Sequence, residues 1–188
     1  MLIDGAATVN ALQQYSHLGS AAVTRLTGGG TLTSPDVRIR RGRLEGTGTV
    51  VGNTVVGGGF GLINPEIAPG VAAGIGNLNF NGNLELKSDA EVLIEIDASR
   101  PQPIADRIDV TGVLTMGGTW RFDLVGGTTI ARDQAIEILV AGQVDPGVFS
   151  IDGLATVCCS PPGQWMISWS ARVRSPRPKV TGNSICER

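Results

Sequence analysis

Residues 91–97 of the chain read Glu-Val-Leu-Ile-Glu-Ile-Asp. Val92, Ile94 and Ile96 are apolar, and two of the three positions that follow them carry a carboxylate. Successive side chains of a β-strand point to opposite faces of the sheet. The stretch therefore predicts a strand with one buried face and one solvated face.

The same alternation extends outward along the middle of the chain. Trp120, Phe122 and Leu124 alternate with Arg121, Asp123 and Val125, and Leu84 and Leu86 enclose Glu85. We predict short strands separated by Gly-, Asn- and Asp-rich turns: Val37–Arg40, Thr49–Val56, Leu78–Phe80, Asn83–Lys87, Glu91–Asp97, Arg107–Val110, Val113–Met116, Thr119–Val125 and Ala135–Val140. The side chains expected to point inward are these: Val92, Ile94, Ile96, Ile108, Val110, Trp120, Phe122 and Leu124.

The composition limits the class of protein. The chain has 188 residues, a formal net charge of −2, 41% hydrophobic and 17% charged residues, and 27 glycines. This hydrophobic content excludes disorder throughout the chain, and the near-neutral charge disfavours a dedicated nucleic-acid binder. One His and three Cys leave little material for the common zinc sites.

A Gly-x-Leu triplet recurs at Gly42, Gly82 and Gly112. The spacing between the first two triplets is compatible with two solenoid coils of about 20 residues each. The spacing between the last two then leaves an excess, which we assign to the Pro-bearing insertion at residues 98–103. A β-sandwich with regularly spaced turns explains much of the same pattern.

An ordered series of motifs resembles the passenger domains of bacterial autotransporters and their secreted β-helix relatives. Residues 43–56, RLEGTGTVVGNTVV, resemble the L-x-G-T-G-T-V coil of that family, and residues 64–70, NPEIAPG, resemble the turn after it. Residues 106–112, DRIDVTG, resemble its D-x-L-x-V-T-G motif. The order of the family is kept from about Leu26 to Phe149.

The resemblance implies an all-β fold, a right-handed single-stranded parallel β-helix (a solenoid), with a β-sandwich as the alternative. We divide the chain into an N-terminal irregular or capping segment (1–25), a β-helix domain (26–169) and a basic, Pro-bearing tail (170–188). The start of the chain lacks the basic and apolar regions of a secretory signal, and the chain is too short to add a membrane barrel. We therefore expect a fragment, or a miscalled reading frame, of a longer exported protein.

The function implied by the resemblance is that of a non-enzymatic stalk or adhesin, placed outside the cell or at the outer-membrane surface. Its expected partners are cell-surface molecules, polysaccharides or further copies of the chain. Neither nucleic-acid binding nor insertion of this chain into a membrane is expected. The alternatives are a polysaccharide lyase or hydrolase on a β-helix, and a carbohydrate-binding β-sandwich.

No catalytic, cofactor-binding or metal-binding residue is predicted, and no cofactor. Glu95, Asp97 and Asp123 are the strongest candidates for acid/base or calcium-assisted chemistry on one outer face. Convergent basic and aromatic sugar-binding residues are lacking around them, since Arg121 alone is near. A solvated charged face is therefore the preferred interpretation.

The other candidates also have simpler structural interpretations. Asp106 and Asp109 flank a predicted strand and are expected to cap turns rather than bind a cation. His17 has no Ser/Asp arrangement near it in the sequence. The glycine runs 28–30 and 57–59 lack the Lys-Ser/Thr that follows a phosphate loop and are expected to form corners.

The C-terminal part offers three cysteines and a cluster of cations. Cys158, Cys159 and Cys186 do not form a disulfide framework, although Cys186 could bridge to one of the vicinal pair in an oxidising compartment. The arginines and the lysine of the tail stand among prolines without interleaved aromatic residues. We expect a solvated, poorly ordered end.

Overall fold

The computed structural model describes residues 1–58, 63–71, 74–126, 135–152, 156–160 and 164–168. Within these residues all regular secondary structure consists of β-strands. No helix long and apolar enough to cross a membrane is found among them. The strands are β1 (Leu2–Asp4), β2 (Thr8–Asn10), β3 (Tyr15–His17), β4 (Val23–Thr27), β5 (Thr31–Ile39), β6 (Arg43–Gly46), β7 (Gly48–Val56), β8 (Glu66–Pro69), β9 (Asn77–Asn81), β10 (Leu84–Leu86), β11 (Glu91–Asp97), β12 (Ile104–Ala105), β13 (Arg107–Thr115), β14 (Gly118–Gly126), β15 (Ala135–Asp145), β16 (Phe149–Asp152), β17 (Thr156–Ser160) and β18 (Gln164–Ser168).

The chain alternates between two sheets as it advances. Sheet A has the order β1-β4-β6-β8-β11-β14-β16, with β12 beside β11. Sheet B runs β17-β18-β15-β13-β10-β7-β5-β2, with β3 beside β5 and with β9 between β7 and β13. The described pairs are parallel, except that β11–β12, β15–β18 and β17–β18 are antiparallel. An all-β, mostly parallel architecture is thereby established, in contrast to the antiparallel sandwich considered above.

Rows of apolar side chains from both sheets form the core. In sheet A, Leu44, Ile67, Val92 and Trp120 are register partners on consecutive strands, and all four are buried. Sheet B carries an equivalent inner row: Leu32, Val50, Phe80 and Val110. Such rows arise because parallel in-register strands place each side chain directly above its counterpart.

Glycines stack where the strand register of sheet B shifts. The register shifts between Thr33 and Asp36 in β5 and between Val110 and Val113 in β13. A Cβ added to Gly52, whose φ is +123°, would lie 1.7 Å from the Ser34 carbonyl oxygen, and a Cβ on Gly82 would lie 2.5 Å from that of Gly52. The arrangement is repeated further along the sheet, since a Cβ on Gly112 would lie 2.8 Å from the Gly82 carbonyl oxygen. These close approaches of neighbouring backbones therefore require glycine at all three positions.

The stacked glycines Gly52, Gly82 and Gly112 correct the repeat predicted from the sequence. Gly82 and Gly112 are equivalent, as predicted, but Gly42 precedes β6 of sheet A and is not their counterpart. Gly52 takes that place in the preceding coil. The spacing of the Gly-x-Leu triplets does not identify equivalent positions, because the connections between strands differ in length. Identical triplets therefore occur at different places in the two sheets.

The predicted inward row is confirmed at seven of its eight positions. These seven are buried: Val92, Ile94, Ile96, Ile108, Val110, Trp120 and Phe122. The eighth residue, Leu124, is the register partner of buried Ile96, yet 36% of its surface is exposed. Strand β16 pairs with β14 only from Gly118 to Arg121, so the described part of β16 does not cover Leu124.

Two further expectations change with the structure. The segment 1–25 is not merely irregular, because β1, β2 and β3 extend both sheets and β4 begins within it. Leu93 alternates with the inward row as predicted, yet it is only 7% exposed. The tail 170–188 and Cys186 lie outside the described residues, as do the side chains of Cys158 and Cys159.

Candidate functional site

The outer side of sheet A carries a ladder of charges, which we call the charged face: Arg25, Arg43, Glu45, Glu66 and Glu91. The strand register places Arg43 beside Glu66 and Glu66 beside Glu91, while Arg25 lies beside Glu45. Glu45 Oε1 contacts Arg25 Nη2 at 2.6 Å, and Glu45 Oε2 contacts Arg43 Nε at 2.8 Å. Arg43 Nε also lies 3.1 Å from Glu66 Oε1. Most of these charges therefore compensate one another within the chain.

Burial makes two members of the charged face unusual. Glu45 is 4% exposed and has a guanidinium on each carboxylate oxygen. Burial raises the pKa of Glu66, and the nearby carboxylates of Glu91 and Glu45 act in the same direction. The guanidinium of Arg43 opposes this rise in the pKa of Glu66. Like charges on directly opposed positions are unfavourable, and the register pair Glu66–Glu91 is such a position.

A shallow depression opens at this point. It is lined by Glu66, Glu91, Val92, Leu93, Thr119, Arg121 and Asp152. Leu93 contributes an apolar wall, and Asn64 Nδ2 donates to Glu91 Oε1 at 2.5 Å. The volume of about 60 Å³ is far below the roughly 300 Å³ at which small-molecule sites begin. A depression of this size admits a few waters or one small polar group, and not a sugar ring.

The outer side of one half of sheet B differs in chemistry. Here four consecutive strands present uncharged side chains in two rows, which we call the neutral face. The first row is Thr8, Thr31, Thr49 and Asn79; the second is Asn10, Thr33, Val51 and Asn81. Each of these residues is partly or fully exposed. Side chains of this kind offer hydroxyl and amide groups for hydrogen bonds without charge.

The predicted carboxylates are only partly brought together. Glu95 and Asp123 are direct register partners on β11 and β14, as expected for neighbouring coils. Asp97 instead pairs with Gly126 after a register shift, and its Oδ1 accepts from Ser99 N at 2.9 Å. These hydrogen bonds to Ser99 lower the pKa of Asp97. Asp97 caps a turn, while Asp123 is exposed and contacts Arg121 at 3.5 Å.

Asp106 and Asp109 have separate surroundings. Asp106 is fully buried, its Oδ1 accepts from Gly76 N at 2.8 Å, and its Oδ2 accepts from Glu95 N at 2.9 Å. Burial raises the pKa of Asp106 to about 7, against the effect of those two backbone donors. Asp109 lies on the outer side of sheet B, 2.6 Å from Arg107 Nε. Asp106 thus caps backbone amides from two segments of the chain.

Sequence inspection missed a polar cluster around His17. Its Nε2 lies 2.6 Å from Thr24 Oγ1 and 3.0 Å from the Tyr15 hydroxyl, and these two hydroxyls are 2.5 Å apart. Burial and the positive N-terminus lower the pKa of His17, which favours the neutral imidazole. Thr24 reaches His17 across the interior from sheet A, and no spacing in the sequence signals this contact.

The remaining candidates have structural surroundings. The run 28–30 connects β4 of sheet A to β5 of sheet B, so it forms a corner as predicted. In the run 57–59, Gly58 N donates to Asp89 Oδ2 at 3.1 Å, and residue 59 lies outside the described part. Within the described ranges, no group of three or more His, Cys, Asp or Glu side chains is arranged to hold a metal ion.

Comparison with known proteins adds no assignment. No protein-family model, no curated protein and no solved structure matches the chain. The function therefore has to be argued from the geometry of the two outer faces.

Proposed function

We propose that the two sheets belong to a right-handed parallel β-helix, in which each coil contributes one strand to sheet A and one stretch to sheet B. The alternation of the chain between the sheets and the parallel pairing of consecutive coils support this proposal. Right-handedness is inferred because parallel crossover connections are right-handed in nearly all proteins. An experimental structure tests it, and a left-handed path or antiparallel pairing of β4, β6 and β8 would refute it.

The proposed function is that of a non-enzymatic structural and adhesive segment of an exported cell-surface protein. The observation that supports it best is the state of the carboxylates. Glu45 and Glu66 contact arginines, Asp106 caps backbone amides, and Asp97 caps a turn. A catalytic pair needs a free acid and base that converge on a substrate, and the depression on sheet A is too small for one.

The sequence resemblance to autotransporter passenger domains supports the surface location. A solenoid with two long, regular outer faces suits a stalk or an adhesin, because each coil adds surface without adding a new core. The alternative of a polysaccharide lyase or hydrolase would need Glu95 and Asp123 to act together. Asp123 is instead exposed and lies near Arg121.

A bead assay tests the proposal. Beads coated with the chain are expected to adhere to bacterial or epithelial cell layers more strongly than beads coated with albumin. The soluble chain is expected to release no new ends from pectin, alginate or amylose. Adhesion equal to that of albumin would refute the adhesive role. Cleavage abolished by Asp123→Asn would replace the proposal with the enzymatic alternative.

A further inference from the structure

We propose that the neutral face binds an uncharged polysaccharide chain laid across its two rows of side chains. This inference rests on the proposed adhesive function and names the ligand class for one surface. The eight positions come from β2, β5, β7 and β9, which are held in parallel register by backbone pairing. The grid is therefore set by the backbone, and its side chains are presented at regular intervals of about 4.8 Å between strands.

Several side chains of the neutral face have unused hydrogen-bonding capacity. Among the described residues, the hydroxyls of Thr8, Thr33 and Thr49 and the amide of Asn10 make no side-chain hydrogen bond. The two asparagines of β9 are already engaged, since Asn79 Nδ2 donates to Gly48 O and Asn81 Oδ1 accepts from Thr111 Oγ1, each at 3.2 Å. Thr31 makes only a long contact of 3.5 Å, from its hydroxyl to Gly29 O. Each free hydroxyl is one donor and two acceptors. A polymer rich in hydroxyl groups can satisfy both functions at once.

The eight positions of the neutral face carry no charge. The next strand, β13, ends the neutral face with Arg107 and Asp109, and these two are paired with each other at 2.6 Å. Arg107 also contacts Glu137 at 2.8 Å. A charged ligand would lose hydration on this face without gaining a counter-charge. The face therefore favours a neutral polymer over an acidic or basic one.

The area of the neutral face is small compared with a protein–protein interface. At about 4.8 Å between strands and about 3.3 Å per residue, the eight positions cover roughly 250 Å². A stable protein interface buries about 800 Å² on each partner. The neutral face is thus too small to hold a second copy of this chain by itself. A slender polymer fits a surface of this size.

The experiment measures depletion of the chain by insoluble polymers. Starch granules and cellulose serve as the neutral probes, and calcium-gelled polygalacturonate serves as the anionic one. The chain is expected to bind at least one neutral polymer, and raising the salt concentration is expected to leave that binding unchanged, because screening acts on charges. Binding to polygalacturonate alone, or binding that salt reverses, would overturn the proposal.

Paired substitutions locate the site. Thr33→Val with Thr49→Val removes two free hydroxyls and keeps shape and strand propensity. Loss of two hydrogen bonds predicts binding about tenfold weaker. The matched control is Thr115→Val, on the outer side of β13 next to Glu85 and Asp145, which should bind like the parent chain. Equal binding by the double variant, or equal weakening by the control, would overturn the assignment.

A measurement without substitution guards against misfolded variants. Hydrogen exchange of the parent chain with and without soluble amylose or cello-oligosaccharide should show protection at residues 31–33 and 49–51. Protection confined to the charged face would overturn the proposal. Failure here is distinct from failure of the proposed function, because beads could still adhere to cells through another surface. Sedimentation at the same concentrations tests self-association, and a dimer abolished by the double variant would also overturn the proposal.

Discussion

The charged face of sheet A and the neutral face of sheet B are built on the same backbone plan but differ in what they leave available. On the charged face, parallel register forces each charge to lie beside its counterpart on the neighbouring strand, and Arg43 contacts both Glu45 and Glu66. On the neutral face, the same register aligns Thr31 with Thr49. Most side chains of the first surface pair with one another as ions, whereas several hydroxyls of the second surface have no side-chain partner among the described residues.

This difference shows how stacking controls surface chemistry in a regular fold. A row of like charges would be unfavourable, so charged rows must alternate in sign or create a gap. The gap occurs between Glu66 and Glu91, where the depression lies. A row of hydroxyls has no such restriction and can extend across several coils. Uncharged rows are therefore the natural way to build an extended binding surface here.

The largest expected effect concerns Asp106, whose carboxylate joins Glu95 of β11 in sheet A to Gly76, just before β9 of sheet B. Burial raises the pKa of Asp106 from 3.8 to about 7, so the folded chain holds this proton more tightly than the unfolded chain. The contribution of Asp106 to the free energy of unfolding is therefore greatest below about pH 4 and falls as the pH rises to about 7. At about 1.36 kcal/mol per pH unit, the fall is about 4 kcal/mol.

Other carboxylates titrate in the opposite direction, since hydrogen bonds lower the pKa of Asp36 and of Asp97. The quantity to measure is therefore the difference in free energy of unfolding between the parent chain and Asp106→Asn, by urea unfolding from pH 4 to pH 8. We expect this difference to decline with rising pH. A difference that increases would mean that the two backbone amides, and not burial, govern the charge of Asp106.

The second prediction concerns the close backbone approach at Gly52, where the register of sheet B shifts. Gly52→Ala would place a Cβ 1.7 Å from the Ser34 carbonyl oxygen at a φ of +123°. Backbone strain and displacement of β5 are expected to lower the free energy of unfolding by about 3 kcal/mol. Gly19→Ala is the control, because a Cβ at Gly19 meets nothing within 4 Å. An unchanged free energy of unfolding for Gly52→Ala would show that β5 and β7 can move apart at this position at little cost.

The third prediction removes the centre of the charged face. Glu45→Gln keeps the shape of the side chain but leaves Arg25 and Arg43 without their shared carboxylate. The expected loss is about 1–2 kcal/mol at low salt, since both arginines are partly exposed and screened. Salt should reduce the difference. Glu85→Gln is the control, because Glu85 pairs with Lys87 at an exposed position and should change stability by less than about 0.5 kcal/mol.

The sequence predicted the strands well where alternation was strict. Glu91–Asp97 is reproduced at both ends, because its period of two leaves no other register. The short strands β1, β2 and β3 were missed, since three residues carry too little periodicity. The exposure of Leu124 could not be read from its own strand, because it depends on where the neighbouring strand β16 ends.

The candidate surfaces were harder to predict than the strands. Glu95 and Asp123 were expected to be close, and they are register partners. The contact of Thr24 with His17 and the capping of Gly76 by Asp106 depend on how segments separated in the sequence come together. The spacing between successive strands varies with insertions such as residues 98–103, which have no repeating pattern. Register between strands is therefore the information that a single sequence lacks.

The smallest effects compare two threonines of the same strand, β7, on opposite sides of sheet B. Thr49 faces outward on the neutral face, whereas Thr54 is 1% exposed in the inner row with Val37 and Leu84. The buried hydroxyl of Thr54 has no hydrogen-bond partner in the described part of the chain. Thr54→Val should therefore raise the free energy of unfolding by about 1 kcal/mol, because an unsatisfied buried hydroxyl is replaced by a methyl group of the same shape.

Thr49→Val should change the free energy of unfolding by less than about 0.5 kcal/mol, because its hydroxyl exchanges one solvated surface for another. Urea unfolding of both variants and of the parent chain provides the measurement. Equal stabilisation by both would mean that β7 gains only from strand propensity. A large loss at Thr49 would mean that the neutral face serves folding. If Thr49→Val leaves the free energy of unfolding unchanged while Thr54→Val raises it, the outer hydroxyl does not serve folding. That result is the one expected if the hydroxyls of the neutral face serve binding.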